Sequence, residues 1–123
     1  MSSLNAVAHL RIMQEASLQA LEYCAPLDRS EFFADKKTYQ AVLFNLMLVG
    51  ESSARILKID LSFTERFPEI PWRNMKGMRN RIAHAHTTIN LATIWATIEQ
   101  SIPALVDTLP VLIAQARNSN SLS

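Results

Sequence analysis

The sequence predicts an all-α fold, an up-and-down bundle of four principal helices joined by short helical turns. Three observations carry that expectation. Apolar residues recur every three to four positions along four stretches, the spacing of helices that each bury a stripe. Glycine occurs only twice in 123 residues, so little interrupts those stretches. Prolines and the cap-forming residues Asp, Ser and Asn stand where the stretches begin and end.

The first helix begins near Ser3 or Leu4 and places Leu10, Met13, Ser17, Leu21 and Cys24 on one stripe, until Pro26 ends it. Asp28, with Glu31 three residues later, resembles a capping box for a short turn through Phe33. A second helix runs from about Asp35 to Leu57, with Tyr39, Val42, Leu46, Gly50 and Ala54 on its main stripe. Phe44 and Leu48 add apolar surface on another side, in line with Glu51 and Arg55. A helix apolar on two sides needs a second thing to cover it, here a partner.

Ser62 and Glu65 read as a further capping box for a single turn that Pro68 closes. Pro71 suits the first position of a third helix, where its missing N–H costs nothing. Asn90 caps the last helix, whose stripe runs through Leu91, Ile94, Ile98, Ile102, Leu105, Leu109 and Leu112. Pro103 and Pro110 lie within it and are expected to kink or divide it. Residues 1–117 are expected to form one domain, and the Ser/Asn-rich residues 118–123 a flexible C-terminal tail.

A composition of 49% hydrophobic and 19% charged residues places the chain among globular proteins. So much apolar surface on a small helical body points to a subunit interface, hence a homodimer. A net charge of +1 argues against a broad electrostatic clamp on nucleic acid. It leaves room for a short cationic cleft, because Arg73, Lys76, Arg79 and Arg81 fall within nine residues without an acid among them. Cys24 is the single cysteine, so neither a disulfide framework nor a cysteine zinc site is expected. With no signal-peptide core and no apolar run long enough for a bilayer, a cytoplasmic location away from membranes is expected.

The richest stretch is Met78 to His86, which holds two arginines and two of the three histidines directly after the Pro71-Trp72 helix start. A guanidinium can hold a phosphate, and an imidazole can move a proton near neutral pH. His84 would then act as general base on a ribose 2′-hydroxyl or as general acid on the leaving oxygen. Arg79 would fork onto the phosphate oxygens. Asn80 either fixes the tautomer of His84, four residues on, or holds a phosphate oxygen. Arg79 and His84 stand about 140° apart on an ideal helix, so they do not share a strict face. From spacing alone the plainer reading is favoured, with Arg79 and Arg81 as surface cations and His84 as a helix C-terminal group.

Two readings of Glu51 stand level: an exposed acid paired with Arg55, or a buried carboxylate orienting Arg79 or a histidine. Trp72 reads as a core or interface anchor before a base-stacking platform. His84 and His86 form at most half a metal site, and with no HExxH or cysteine pair neither a metal nor a cofactor is expected.

The run Phe67 to His84, with its Pro68-Glu69-Ile70-Pro71-Trp72 and Gly77-Met78-Arg79-Asn80 blocks, resembles the signature of HepT-like proteins. These are the HEPN-domain toxins of HEPN–MNT toxin–antitoxin pairs. The resemblance spans about residues 9 to 115 and includes the Asp35 helix start, the Val49-Gly50-Glu51 step and Ile94-Trp95. It implies a helical bundle whose dimer lines one cleft with two R-x4-H motifs, Arg79 and His84 here. It also implies metal-independent cleavage of RNA and neutralisation by a cognate MNT-type nucleotidyltransferase antitoxin. His86, Glu51 and Arg81 are candidate supporting residues, and Arg73 and Lys76 candidate RNA contacts.

The sequence departs from the family at His86, where a tyrosine that the antitoxin can modify with AMP is usual. An imidazole is not a phenol, so silencing by complex formation, or AMP on Thr87 or Thr88, replaces that route. Alternatively His86 joins His84 as an acid/base pair, or the chain is a catalytically weak HEPN module that binds nucleotide or regulates a nucleotidyltransferase.

Overall fold

In the computed structural model, which describes residues 2–84 and 89–121, every regular element is helical. In chain order these are α1 (Ser2–Cys24), α2 (Arg29–Ala34), α3 (Lys36–Ile59), α4 (Leu61–Arg66), α5 (Trp72–His84), α6 (Leu91–Ala96), a π-turn (Thr97–Ser101) and α7 (Ile102–Ser121). The four principal rods are α1, α3, α5 and the run from α6 to α7. Helix α3 packs against both α1 and α5, and α7 packs against α1. No helix among the described residues is long and apolar enough to cross a membrane.

The starts of the helices are set by side chains that accept from otherwise orphaned amides. Asp28 Oδ1 accepts from the Glu31 amide at 2.8 Å while Glu31 Oε1 accepts from the Asp28 amide at 2.9 Å, the full capping box. Asp35 caps α3, accepting from the Thr38 amide and hydroxyl. Asn90 caps α6 through the Thr93 amide. At α4 the expected cap is displaced. Asp60, not Ser62, accepts from the Phe63 amide, and the Ser62 hydroxyl donates to that same carboxylate at 3.0 Å. The single residue Asp60 thus ends α3 and begins α4, which is why α3 runs two residues past Leu57.

The two prolines of the last stripe act differently. Pro103 has no N–H for the helix ladder, and just before it the chain widens into the π-turn, where the Ile102 amide reaches back five residues to the Thr97 carbonyl. Pro110 does not divide α7; its ring sits on the exposed side of an unbroken helix. That helix continues through Ser121, past Asn118.

The predicted stripes form the core. Leu10, Met13, Leu46, Ile102, Leu109 and Leu112 are all buried, as is Ser17, whose hydroxyl finds no partner among the described residues. Phe32 meets Trp95 at 5.1 Å between ring centroids and ties α2 to α6. Phe44 is the outlier: it is 62% exposed, on the second apolar side of α3.

Candidate functional site

Helix α5 carries most of the candidate residues, and its position follows from a few contacts made at its start. Trp72 is buried, and its indole N–H donates to the carbonyls of Thr64 and Phe67, both at 3.1 Å. The Ser53 hydroxyl of α3 donates to the Trp72 carbonyl at 2.6 Å. Trp72 is therefore a core anchor rather than a stacking platform. Met75, Met78 and the half-buried Ile82 continue the buried stripe of α5.

One turn along, the two helices touch backbone to backbone at Gly50. A Cβ placed on Gly50 would lie 2.5 Å from the Met75 carbonyl oxygen and closer still to the Arg79 Cβ. Only a residue without a side chain allows this approach, and the approach sets Arg79 beside Glu51. Arg79 Nη1 donates to Glu51 Oε1 at 2.6 Å, across 28 residues of chain. Glu51 Oε2 accepts from Arg55 Nε at 3.2 Å. Both readings of Glu51 thus hold at once, with one correction: the carboxylate is not buried, since its side chain is 42% exposed.

Asn80 Oδ1 accepts from Arg79 Nε at 2.9 Å, and no hydrogen bond joins Asn80 to His84, which leaves its amide N–H groups for the other expected role, holding a phosphate oxygen. The Arg79 guanidinium has five N–H donors; these two bonds occupy two, leaving three to meet an anion. His84 is the last residue of α5 and is exposed, with no hydrogen bond to any described residue. His86 and its neighbours Ala85, Thr87 and Thr88 lie outside the described residues.

The order of side chains around α5 divides the cationic cluster. At about 100° per residue, Lys76, Asn80, Arg73 and His84 fall within about 80° of one another, and all four are exposed. Arg79 borders this arc on the α3 side. Arg81 borders it on the other, facing α6 and α7, and does not join Arg79. Sequence reasoning placed Arg81 with the site because the residues are close in the chain. The missed residue is Gly50, whose signal was its status as one of only two glycines within an otherwise apolar stripe.

Next to the site, Phe44, Leu48, Glu51 and Arg55 form one line along α3. Leu48, with Ile12 and Ala16 of α1, borders a groove of about 210 Å³ that Glu15, Gln19 and Asn45 also line, and Ile12 is 42% exposed. A strip of apolar side chains with a polar rim therefore runs along α3 up to the Glu51–Arg79 pair. Cys24 takes no part, because burial pushes its thiol up to about 11, away from the reactive thiolate at neutral pH.

The hydrogen bond from Arg79, with the charges of Arg79 and Arg55 behind it, holds the Glu51 carboxyl below the ordinary glutamate range. A depressed folded-state value means that stability from this pairing is present above the unfolded value of about 4.3 and is lost as pH falls through the folded one. Glu51→Gln is accordingly expected to lower the thermal midpoint slightly at about pH 7. The difference should shrink as pH falls below the ordinary glutamate range and vanish once Glu51 is protonated in the folded protein, where both proteins carry a neutral group. A difference that persists at low pH would mean that the charge of Glu51 is not what holds Arg79.

The chain is similar in sequence to known proteins. The family described as Ribonuclease HepT-like matches residues 13–112. The chain is 34% identical over 97 residues to a protein of Thermococcus cleftensis named "Probable ribonuclease HepT", covering 79% of this chain and 86% of that one. It is 30% identical over 105 residues to a "Putative RNase" of Methanocaldococcus jannaschii, covering 85% and 94%. No solved structure matches.

Proposed function

The chain belongs to the HepT-like ribonuclease family, and on that premise we propose that it is the toxin of a HEPN–MNT type toxin–antitoxin pair, an endoribonuclease that needs no metal or cofactor. The observation that carries the reading is the Glu51–Arg79–Asn80 arrangement. It holds a guanidinium, still rich in free donors, at the edge of the exposed flank that ends in His84.

In this reading the ribose 2′-hydroxyl attacks the adjacent phosphorus and the bond to the 5′ oxygen breaks. The products carry a 2′,3′-cyclic phosphate and a 5′-hydroxyl. Arg79 stabilises the charge that grows on the phosphate oxygens, and the amide N–H groups of Asn80 hold a further oxygen. His84 takes the 2′-hydroxyl proton, and the partner subunit's His84 gives one to the leaving oxygen, or the reverse. Arg73 and Lys76 hold neighbouring phosphates as solvated cations.

A homodimer supplies the second imidazole. Its support is the apolar strip of Phe44, Leu48 and Ile12, which a second copy would cover, bringing its own α5 toward Arg79. A cognate nucleotidyltransferase antitoxin is the proposed inhibitor, acting by complex formation because His86 offers no phenol to modify.

The test is RNA cleavage by the purified protein in EDTA. Cutting that leaves 2′,3′-cyclic phosphate or 3′-phosphate ends, and that His84→Ala abolishes, is the expected result. Activity lost in EDTA, or retained in His84→Ala, would remove the metal-free mechanism. No cutting at all, together with a stable complex with a nucleotidyltransferase, would favour the regulatory module.

A further inference from the structure

Arg81 stands apart from the Glu51–Arg79 site, and its surroundings are those of a binding groove. Helix α5 packs on α3 and α7 packs on α1, which leaves a gap between α5 and the run from α6 to α7. Two adjoining cavities fill that gap, one of about 490 Å³ and one of about 310 Å³. Both are bordered by Met78, Arg81 and Thr97, so the arginine stands at the divide between them. These are the dimensions of small-ligand pockets rather than packing voids.

The larger cavity has an apolar floor of Met75, Ile102 and Leu105 and three polar side chains, Glu69, Asn74 and Ser101, that make no hydrogen bond to a described residue; the Glu69 carboxylate can only accept, so it suits the N–H edge of a base and not a phosphate. Thr97 and Ser101 are the two ends of the π-turn, a wider coil than a regular helix and one that recurs at functional sites. The smaller cavity is lined by Ile82, Ile89 and Ile94, with Asn90 at its edge. Asn90 spends its oxygen on the Thr93 amide, which leaves its amide N–H groups to donate.

Arg81 itself is exposed and pairs with no described residue. Its Nη1 lies 3.4 Å from where a Gly77 Cβ would stand, so the side chain lies back along the helix over Gly77. An unpaired planar cation, between two apolar chambers with unspent amide and hydroxyl groups, matches one kind of ligand. That ligand has a phosphate at its middle and a flat, hydrogen-bonding ring beside it.

We propose that this groove binds a nucleoside phosphate, with the phosphate on Arg81 and the base in the chamber of Met75, Ile102 and Ser101. Resting on the ribonuclease reading, the ligand is a nucleotide of the RNA strand flanking the cut. Arg79 and Arg81 border the exposed arc of α5 on opposite sides, and a helix with its side chains is about 10–12 Å across. A strand laid over Asn80 and His84 from one arginine to the other therefore places the flanking base in the groove. Sequence preference would arise there, away from the groups that move protons.

The test uses full-length protein carrying His84→Ala, so that RNA is not consumed, and a fluorescein-labelled single-stranded RNA of ten nucleotides followed by anisotropy. Arg81→Ala and, separately, Ala104→Trp, which fills the larger cavity from an exposed position, are each expected to weaken binding about 5-fold or more. Gln115→Trp, on α7 but outside the groove, serves as the bulk control and is expected to bind as the parent does. Adenosine monophosphate is titrated in parallel. If Ala104→Trp abolishes its binding while RNA affinity stands, the site is supported with a free nucleotide as its source. If neither ligand responds to either variant, the proposal is overturned. The same holds if Ala104→Trp only dissociates the dimer, which would make the groove a protein contact. Failure of the parent protein with His84 intact to cut RNA would sink the ribonuclease reading and leave this binding result standing.

Discussion

Arg79→Ala is expected to slow RNA cleavage by roughly 10²–10³-fold, the usual cost of removing one donor to a developing oxyanion, while the protein stays folded. The two halves of that result come from different parts of the side chain. The Arg79 side chain is 24% exposed and its guanidinium contacts are polar: Glu51 at 2.6 Å and Asn80 at 2.9 Å. Ion pairs at such half-open positions contribute at most about 1 kcal/mol, and Glu51 keeps Arg55 when Arg79 is gone. The Cβ that packs on Gly50 remains in alanine, so the contact between α3 and α5 is unchanged.

Lysine is expected not to rescue activity, because an ammonium cannot donate to Glu51 and Asn80 in one plane and still fork onto a phosphate. Single-turnover rates beside thermal midpoints check both halves. A rate within a few-fold of the parent would take Arg79 out of the reaction. A large fall in midpoint would make it a structural residue.

The fold was legible because its determinants are local. Caps at Asp28, Asp35 and Asn90 and the apolar stripes each depend on residues within a turn or two of one another, and the structure follows them. The errors fell where two local signals competed. Ser62 and Glu65 have the spacing of a capping box, yet Asp60 lies two residues earlier and its carboxylate is the stronger acceptor. Pro103 and Pro110 look alike in sequence, but only the first sits at the wider turn.

The candidate site was legible only by type. Spacing put Arg79, Asn80 and Arg81 together, although neighbours on a helix point about 100° apart. Tertiary placement, which no window of sequence contains, then sent Arg79 toward Glu51 and Arg81 toward the opposite groove. The bond from Arg79 to Glu51 spans 28 residues. Its precondition is a glycine whose importance shows only once the second helix is in place.

That glycine carries the largest expected effect on the fold. Gly50→Ala adds one methyl group, and on an exposed helix it would stabilise by about 1 kcal/mol. At this position the opposite sign is expected. The new carbon meets the Met75 carbonyl oxygen at 2.5 Å and the Arg79 Cβ, and neither is the movable end of a flexible side chain. Helix α5 must shift off α3, at a cost of about 1–3 kcal/mol or more from overpacking. The expected drop in thermal midpoint is several degrees, at about 3–6 °C per kcal/mol for a chain of this size.

Because the same shift parts Arg79 from Glu51, RNA cleavage should fall with stability. The other glycine supplies the contrast. A Cβ on Gly77 meets only the mobile Arg81 Nη1, at 3.4 Å, so Gly77→Ala is expected to raise the midpoint through helix propensity alone. Opposite signs at the two glycines would tie the geometry of Arg79 to the close crossing of α3 and α5. A midpoint for Gly50→Ala equal to or above that of the parent would mean that the crossing is looser than described and that Glu51 is held to Arg79 by something else.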